Sequence, residues 1–339
     1  MPAPKLVVLW RITETCDLAC PFCAYSRELS RSRTSANPDD VLRFGALLGD
    51  YARNYQRDAL VSWLGGEPLL WKPLFEISRA FKREFGLRVS LTTNGTRLGS
   101  EEVRSRIAAD FDEITISVDG VGAGHDSCRR TAGLYNRIQE NVRRIDQLRG
   151  GRGHTPRIRV NTVLMRDNIH SFESLCLAVA EWGVEDLTFN TLGGRDRPEF
   201  FPDHCLRPDD VKRLRESLPG IRERLAKLGL VILGSNRYLD RFQATTTNNQ
   251  LPITDCQPGQ HFLFIDERGF IAPCSFTTGG YGVHLGEIQS ARTLAELPQR
   301  FMERQHAQCL APCFDCPSTQ VFGKFNSPQS PAYLFSFPT

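Results

Sequence analysis

Apolar and polar positions alternate along the first 190 or so residues with two distinct periods. Short apolar runs at 6–12, 59–64, 88–92, 113–118, 157–164 and 186–190 predict strands. The stretches between them, 40–57, 74–85, 101–109, 134–148 and 172–182, repeat apolar residues at helical spacing. In 40–57, for example, Val41, Leu42, Phe44, Leu47, Leu48 and Tyr51 fall on one face. Six strands separated by helices predict a parallel sheet of right-handed βαβ units, either doubly wound or an open barrel. Both architectures place chemistry in the loops after the C-terminal ends of the strands.

Beyond Gly193 the pattern changes. Residues 195–208, rich in Pro, Asp and Phe, predict a loop, and 209–228 a charged amphipathic helix. Residues 231–253 are polar and irregular, 256–317 short-stranded and cysteine-bearing, and 327–339 a loosely held tail. The 339 residues are 40% hydrophobic and 24% charged, with a formal net charge of +3, as in an ordinary globular protein. Basic residues are scattered, which argues against a nucleic-acid partner. The locally basic stretch 143–159 reads as a solvated helix end and loop. No apolar run reaches the ~18 residues of a membrane span, and the N-terminus lacks a signal layout, so no membrane partner and a cytoplasmic location are expected.

Eleven cysteines are many for such a chain. In a reducing compartment they point to metal binding or catalysis before disulfides. Cys16, Cys20 and Cys23 form one group, and Cys256, Cys274, Cys309, Cys313 and Cys316 another; Cys128, Cys176 and Cys205 are scattered. The first group, Cys16-Asp-Leu-Ala-Cys20-Pro-Phe-Cys23, follows the first strand. Three thiolates at this spacing can wrap a soft metal centre: an iron–sulfur cluster, zinc or copper(I). Zinc would want a fourth ligand. A [4Fe–4S] cube held by three cysteines leaves one iron open to chelate a substrate.

The C-x3-C-x2-C spacing with Phe22 before the last cysteine resembles the signature of the radical S-adenosylmethionine (SAM) superfamily. The resemblance implies a partial (β/α)6 TIM-like barrel whose open iron binds the amino and carboxylate groups of SAM. An electron from a flavodoxin- or ferredoxin-type donor would then yield methionine and a 5′-deoxyadenosyl radical. Gly65-Gly66-Glu67-Pro68 resembles the family's GGEP turn, implying close backbone approach to the methionine ammonium and a carboxylate, Glu67, that accepts from it. Thr93-Asn94-Gly95 is similar to a TNG turn. Ser117-Val-Asp119-Gly120, His125-Asp126-Ser-Cys-Arg129 and Gly133 resemble the SxDG…HDxxR…G pattern of members with C-terminal auxiliary clusters. That match implies SAM contacts from Ser117 and Arg129, the guanidinium holding the SAM carboxylate. Asn161 and Leu192 match further contact positions, and His125 packs structurally.

Cys256 and Gly269-x4-Cys274 resemble the opening of a SPASM/Twitch auxiliary-cluster domain. Residues 266–269 would turn a hairpin between strands 262–265 and 270–272. Having fewer cysteines than a full SPASM domain implies the shorter Twitch form. Its one auxiliary [4Fe–4S] cluster would sit on Cys256, Cys274, Cys313 and Cys316, with Cys309 a spare or alternative ligand. A zinc knuckle is the structural alternative. The implied organisation is a small C-terminal α+β domain at 251–320, joined to a barrel at 1–195 by a substrate-pocket region at 196–250, with a tail at 321–339.

A second cluster that accepts the electron left on a substrate radical implies a two-electron oxidation. The cysteine spacing resembles the 2-deoxy-scyllo-inosamine dehydrogenases, so oxidation of a small aminosugar or cyclitol is the first expectation. A chain that opens on its first strand, without the peptide-binding domain often fused to peptide maturases, leans the same way. Alternatives are a peptide maturase making a thioether or carbon–carbon bond, and a redox-neutral epimerase with Cys205 as hydrogen donor. Sulfatase-maturing relatives have an Asp base directly after the G-x4-C cysteine; this chain has Ser275 there. Asp255, Tyr238 and His261 are the other candidate bases.

Overall fold

The computed structural model describes residues 5–194, 196–234, 238–240, 242, 258–275 and 277–307. The six expected strands are β1 (Lys5–Thr13), β2 (Asp58–Gly65), β3 (Arg88–Thr93), β4 (Glu113–Ser117), β5 (Arg157–Leu164) and β6 (Asp186–Thr191). Helices α1 (Pro38–Asn54), α2 (Leu74–Arg83) and α3 (Glu101–Asp110) connect the first four. Short α4 (Ala123–Arg129) and long α5 (Leu134–Leu148) bridge β4 to β5, and α6 (Phe172–Ala180) bridges β5 to β6. Neighbours pair in parallel and in chain order, the arrangement of a (β/α)6 partial barrel.

Several expectations need amendment: the stretch expected to be short-stranded at 256–317 also carries helices at Ala291–Ala295 and Leu297–Ala307. The stretch expected to be a loop at 195–208 contains a one-turn helix, α7 (Phe201–His204), before α8 (Pro208–Lys227). The stretch expected to be irregular begins with β7 (Val231–Ile232), which adds a parallel strand beside β6. Two residues are too few for any periodicity to be visible. The hairpin β8 (Phe262–Ile265) and β9 (Phe270–Ala272) forms as expected, followed by β10 (Val283–His284). β8 pairs in parallel with β1, so strands from all three expected regions share one sheet, ordered β10-β9-β8-β1-β2-β3-β4-β5-β6-β7 among the described residues.

The period of two sorts each strand's side chains. One set packs outward under the helices: Trp10, Val61, Trp63, Leu91, Ile114, Val160 and Phe189 are buried in the main core. Trp63 meets Trp10 at 5.7 Å and Phe81 at 5.1 Å, and its indole N–H donates to Ser78 Oγ at 2.9 Å. The other set faces the lumen and is mainly polar from β2 to β6: Ser62, Ser90, Thr92, Thr115, Ser117, Asn161 and Asn190 line the cavity there, with Leu64 and Val163 among them. Toward β1 and β8 the lumen is apolar, with Val7, Leu60, Phe262 and Phe264 clustered.

The floor is charged. The first residues of β1 to β6 are Lys5, Asp58, Arg88, Glu113, Arg157 and Asp186, alternating in sign around the barrel. Arg88 donates to Glu113 at 2.9 Å and to Asp58 at 3.4 Å. Arg159, one inward step above Arg157, bridges Glu113 at 3.2 Å and Asp186 at 3.3 Å. Burial pushes the Lys5 ammonium down to about 8. No helix among the described residues is long and apolar enough to cross a membrane.

Glu113 is the shared acceptor of this floor. Glu113→Gln is expected to lower the unfolding free energy by roughly 3–5 kcal/mol, since it strands buried guanidinium charge. In urea the midpoint should fall with an unchanged slope; a loss below about 1 kcal/mol would contradict the shared-acceptor role.

Candidate active site

The cysteine loop leaves the top of β1 and is held by hydrogen bonds from every side. Cys23 N–H donates to Cys20 O at 3.3 Å, and Arg27 N–H to Leu18 O at 2.8 Å. Arg33 donates to four loop carbonyls: Glu14 at 2.8 Å, Tyr25 at 3.1 Å, Ser26 at 2.7 Å and Leu29 at 3.5 Å. Asp17, between the first two cysteines, accepts from Asn94 Nδ2 at 2.9 Å and Thr96 Oγ1 at 2.8 Å, which ties the loop to the end of β3. The three thiols line one cavity of about 440 Å³. Burial pushes Cys16 up to about 12 and Cys20 up to about 11, and raises Cys23 as well, so loading a metal centre must expel a proton from each. Backbone amides already point at two of the sulfurs: Leu18 N–H lies 3.5 Å from Cys16 Sγ and Tyr25 N–H 3.4 Å from Cys23 Sγ. Among the described residues no three Cys, His, Asp or Glu side chains are gathered closely enough for a single ion. Three thiols spread around a shared cavity fit a polynuclear cluster with an open position better than mononuclear zinc.

The GGEP turn packs against the chain that enters the cysteine loop. A Cβ on Gly66 would lie 2.3 Å from Thr15 O, and one on Gly65 2.6 Å from Thr13 O. The glycines are needed because the turn packs on the backbone entering the cysteine loop. Gly66 N–H donates to Thr13 O and Glu67 N–H to Thr15 O, each at 2.8 Å. Gly65 and Gly66 line the cavity; Glu67 and Pro68 do not. Glu67 is fully buried and accepts from Thr93 Oγ1 at 2.8 Å, Asn94 N–H at 2.7 Å and Leu69 N–H at 3.1 Å. Its carboxylate therefore clamps the β2 turn to the β3 turn and is not presented to a ligand. Burial pushes it up to about 7.

The HDxxR segment is a clamp of the same kind. Asp119 accepts from Arg129 Nε at 2.6 Å and Val163 N–H at 2.9 Å. Buried His125, pushed down to about 4 by desolvation and Arg129, accepts from Asp119 N–H at 3.1 Å. Asp126 caps α5 through Gly133 N–H at 2.6 Å and Tyr135 N–H at 2.8 Å. Arg129 thus arrives with Nε committed, its ring-side face 5.4 Å from Phe22 and Nη1 4.0 Å from Cys20 Sγ. Burial works against its charge, and Asp119 outweighs it. Arg129 lines the cavity together with Asn94, Ser117 and Asn161.

Other expected residues lie elsewhere. Leu192 is buried but not part of the cavity lining. Tyr238 is buried under β6, its hydroxyl donating to Phe189 O at 2.6 Å, and does not face the cavity. His261 is also outside the lining, beside Arg57 at 3.5 Å. Cys205 is outside it too, its thiol donating to Pro202 O at 3.7 Å beyond α7. Cys274 is buried in the apolar cluster with Val7 and Phe264, next to Ser275, which lines the cavity. Asp255, Cys256, Cys309, Cys313 and Cys316 lie outside the described residues. Arg11, Tyr25, Phe264 and Asp196 line the cavity without having stood out in the sequence. Only the period of two in β1, with Arg11 in step with Val7 and Leu9, could have flagged the first of them.

Residues 10–179 match the radical SAM superfamily, and the chain belongs to that superfamily. Membership brings a [4Fe–4S] cluster and SAM as cofactors. An AdoMet-dependent heme synthase of Nitratidesulfovibrio vulgaris is 26% identical over 298 residues, 81% of this chain and 74% of that protein. A PqqA peptide cyclase of Xanthomonas euvesicatoria is 27% identical over 333 residues, 94% of this chain and 82% of that protein. Among solved structures, Streptococcus suis SuiB bound to S-adenosylmethionine matches with a TM-score of 0.66 at 15% identity, over 98% of this chain and 76% of that one. At that identity the likeness shows the fold.

Two measurements test the clamps. Gly66→Ala is expected to cost roughly 1–3 kcal/mol through the clash with Thr15 O and to lower iron retention after anaerobic reconstitution; full iron content at unchanged stability would refute the tie. Glu67 titrates at about 7 when folded against an ordinary 4.5, so between those values the folded chain holds a proton the unfolded chain has lost. Its contribution to stability is complete below 4.5 and declines as pH rises to about 7. Urea midpoints of the apo protein across that window should lose this decline in Glu67→Gln.

Proposed function

We propose that the chain is a radical SAM maturase that oxidises a peptide by two electrons, forming a thioether or carbon–carbon cross-link. The observation that carries this is the 27% identity to a PqqA peptide cyclase along 94% of the chain. The cavity supports it. Its volume of about 440 Å³, lined by the three thiols and by polar strand residues, is within the range of ligand sites and accommodates a substrate side chain beside the cofactor. The similarity to the peptide cyclase favours the peptide over the cyclitol first expected. Cys205 is not among the residues that line the cavity, which weighs against the epimerase alternative.

When bound, the cluster and SAM supply a 5′-deoxyadenosyl radical that takes a hydrogen atom from the substrate. Cys16, Cys20 and Cys23 hold that cluster. Gly65, Gly66, Asn94, Ser117 and Asn161 form the SAM-binding wall, and Arg129 sets a cation against the Cys20 thiolate. Glu67 and Pro68 act from behind by fixing the turn. Cys256, Cys274, Cys313 and Cys316, with Cys309 in reserve, hold an auxiliary [4Fe–4S] cluster as the second electron acceptor. The step from Cys274 to the cavity residue Ser275 supports an acceptor close to the substrate. Asp196, which lines the cavity, takes the proton released on oxidation, in place of the Asp that Ser275 replaces. A flavodoxin- or ferredoxin-type protein delivers the reducing electron.

The test is anaerobic incubation of the reconstituted chain with SAM, dithionite and short peptides encoded beside its gene. 5′-Deoxyadenosine should appear together with a peptide lighter by two hydrogen atoms, and Cys16→Ala/Cys20→Ala/Cys23→Ala should abolish both. Iron should be about eight per chain, falling to about four in Cys274→Ala. Turnover of a tetrapyrrole or a cyclitol, with none of any peptide, would overturn the reading.

A further inference from the structure

The wall made by β1 and β8 is left uncovered by the SAM-binding residues assigned to β2 through β5. Its most charged member is Arg11, the third of the inward residues Val7, Leu9 and Arg11 on β1. The guanidinium is fixed from three directions. Nε donates to Glu267 Oε2 at 2.5 Å, from the turn between β8 and β9. The rings of Tyr25 and Phe264 lie 5.5 and 5.3 Å from its central carbon. Glu267 is itself buried, so its carboxylate cannot swing away to solvent.

That arrangement holds the guanidinium still while engaging only one of its three nitrogens. Neither Nη1 nor Nη2 of Arg11 makes a hydrogen bond among the described residues, although the side chain is only 19% exposed. Of the other two cavity guanidiniums, Arg159 is paired with Glu113 and Asp186, and Arg129, with Nε likewise held by Asp119, stands beside Cys20 and is assigned above to the cluster. A half-buried, pre-oriented fork with open Nη groups suits a carboxylate bound through two parallel hydrogen bonds. Below it, Val7, Leu9 and Phe264 offer an apolar strip along which a short methylene stem can lie.

We propose that Arg11 anchors a carboxylate of the substrate, and so selects which part of it enters the cavity. This rests on the reading above, in which SAM occupies the β2–β5 wall and leaves the β1–β8 wall to substrate. Arg11 is a specificity residue here; Tyr25, Phe264 and Glu267 are its positioning residues. Glu267 fixes Nε, and the two rings keep the fork from rotating. The carboxylate can come from an acidic side chain or from a chain terminus, and the chemistry at Arg11 is the same for both.

The experiment is calorimetry on the reconstituted holoenzyme with SAM bound. The probes are N-acetylglutamate N-methylamide, its glutamine counterpart, and N-acetylalanine as a bare terminal carboxylate. The glutamyl amide is expected to bind roughly 10- to 100-fold tighter than the glutaminyl amide, the range for a charge-assisted pair. Arg11→Gln should bring the glutamyl amide down to the glutaminyl level, and Arg11→Lys, which keeps Glu267 paired, should retain part of the preference. Tighter binding of N-acetylalanine than of the glutamyl amide supports the anchor, with the chain terminus as its ligand. Equal binding of all three, or no binding of either carboxylate probe, overturns it. So does an Arg11→Gln protein with full iron content and native circular dichroism that loses SAM and leaves probe preference unchanged, because Arg11 then serves the cofactor. Failure of peptide turnover would leave this binding test intact, and loss of probe preference would leave the peptide reading intact.

Discussion

Gly66 N–H to Thr13 O and Glu67 N–H to Thr15 O are two backbone hydrogen bonds of 2.8 Å each. They fasten the turn after β2 to the chain that enters the cysteine loop, and they form only because the turn has no Cβ at Gly65 and Gly66. Everything above the barrel depends on that stitch. Glu67 carries it on to β3 through Thr93 and Asn94, and Asn94 returns to the cysteine loop through Asp17. The loop with three thiols is therefore closed into a ring of hydrogen bonds spanning β1, β2 and β3. A short loop with this much support holds its ligands in place before any cluster arrives.

Under that ring the barrel is built inside out relative to an ordinary core. Its main core lies between strands and helices, and from β2 to β6 its lumen is lined mainly by Ser, Thr and Asn over a floor of alternating charges. A polar lumen is costly to bury dry. It suits a cofactor with a ribose, a base and an amino acid to hydrogen-bond. The asymmetry of the lumen, polar toward β2–β6 and apolar with one fixed cation toward β1 and β8, divides it into two compartments. The radical would be generated at one and used at the other.

Much of the architecture was legible in the chain. Period-two apolar runs and helical stripes located all six barrel strands and five of the helices between them to within a few residues, because each strand buries one face and each helix one stripe; the short α4 was missed. The cysteine spacing, the glycine turn and the arginine of the HDxxR segment were equally legible, since a ligand set on one loop is a local feature. What stayed hidden was non-local. Val231–Ile232 became a strand only because β6 had an open edge beside it. Glu67 and Tyr238 looked available for chemistry until burial showed them spent on Thr93 and Phe189.

By itself the sequence determined the βα order, the three-cysteine loop and the small residues that let the turn close on it, because each is written within a short window. Only the tertiary structure decided which polar groups face the ligand. Arg11 and Glu267 are 256 residues apart in the chain and meet because β8 pairs with β1. Which side chains meet across a sheet depends on strand pairing, and pairing between distant strands leaves no mark at the spacing of either residue.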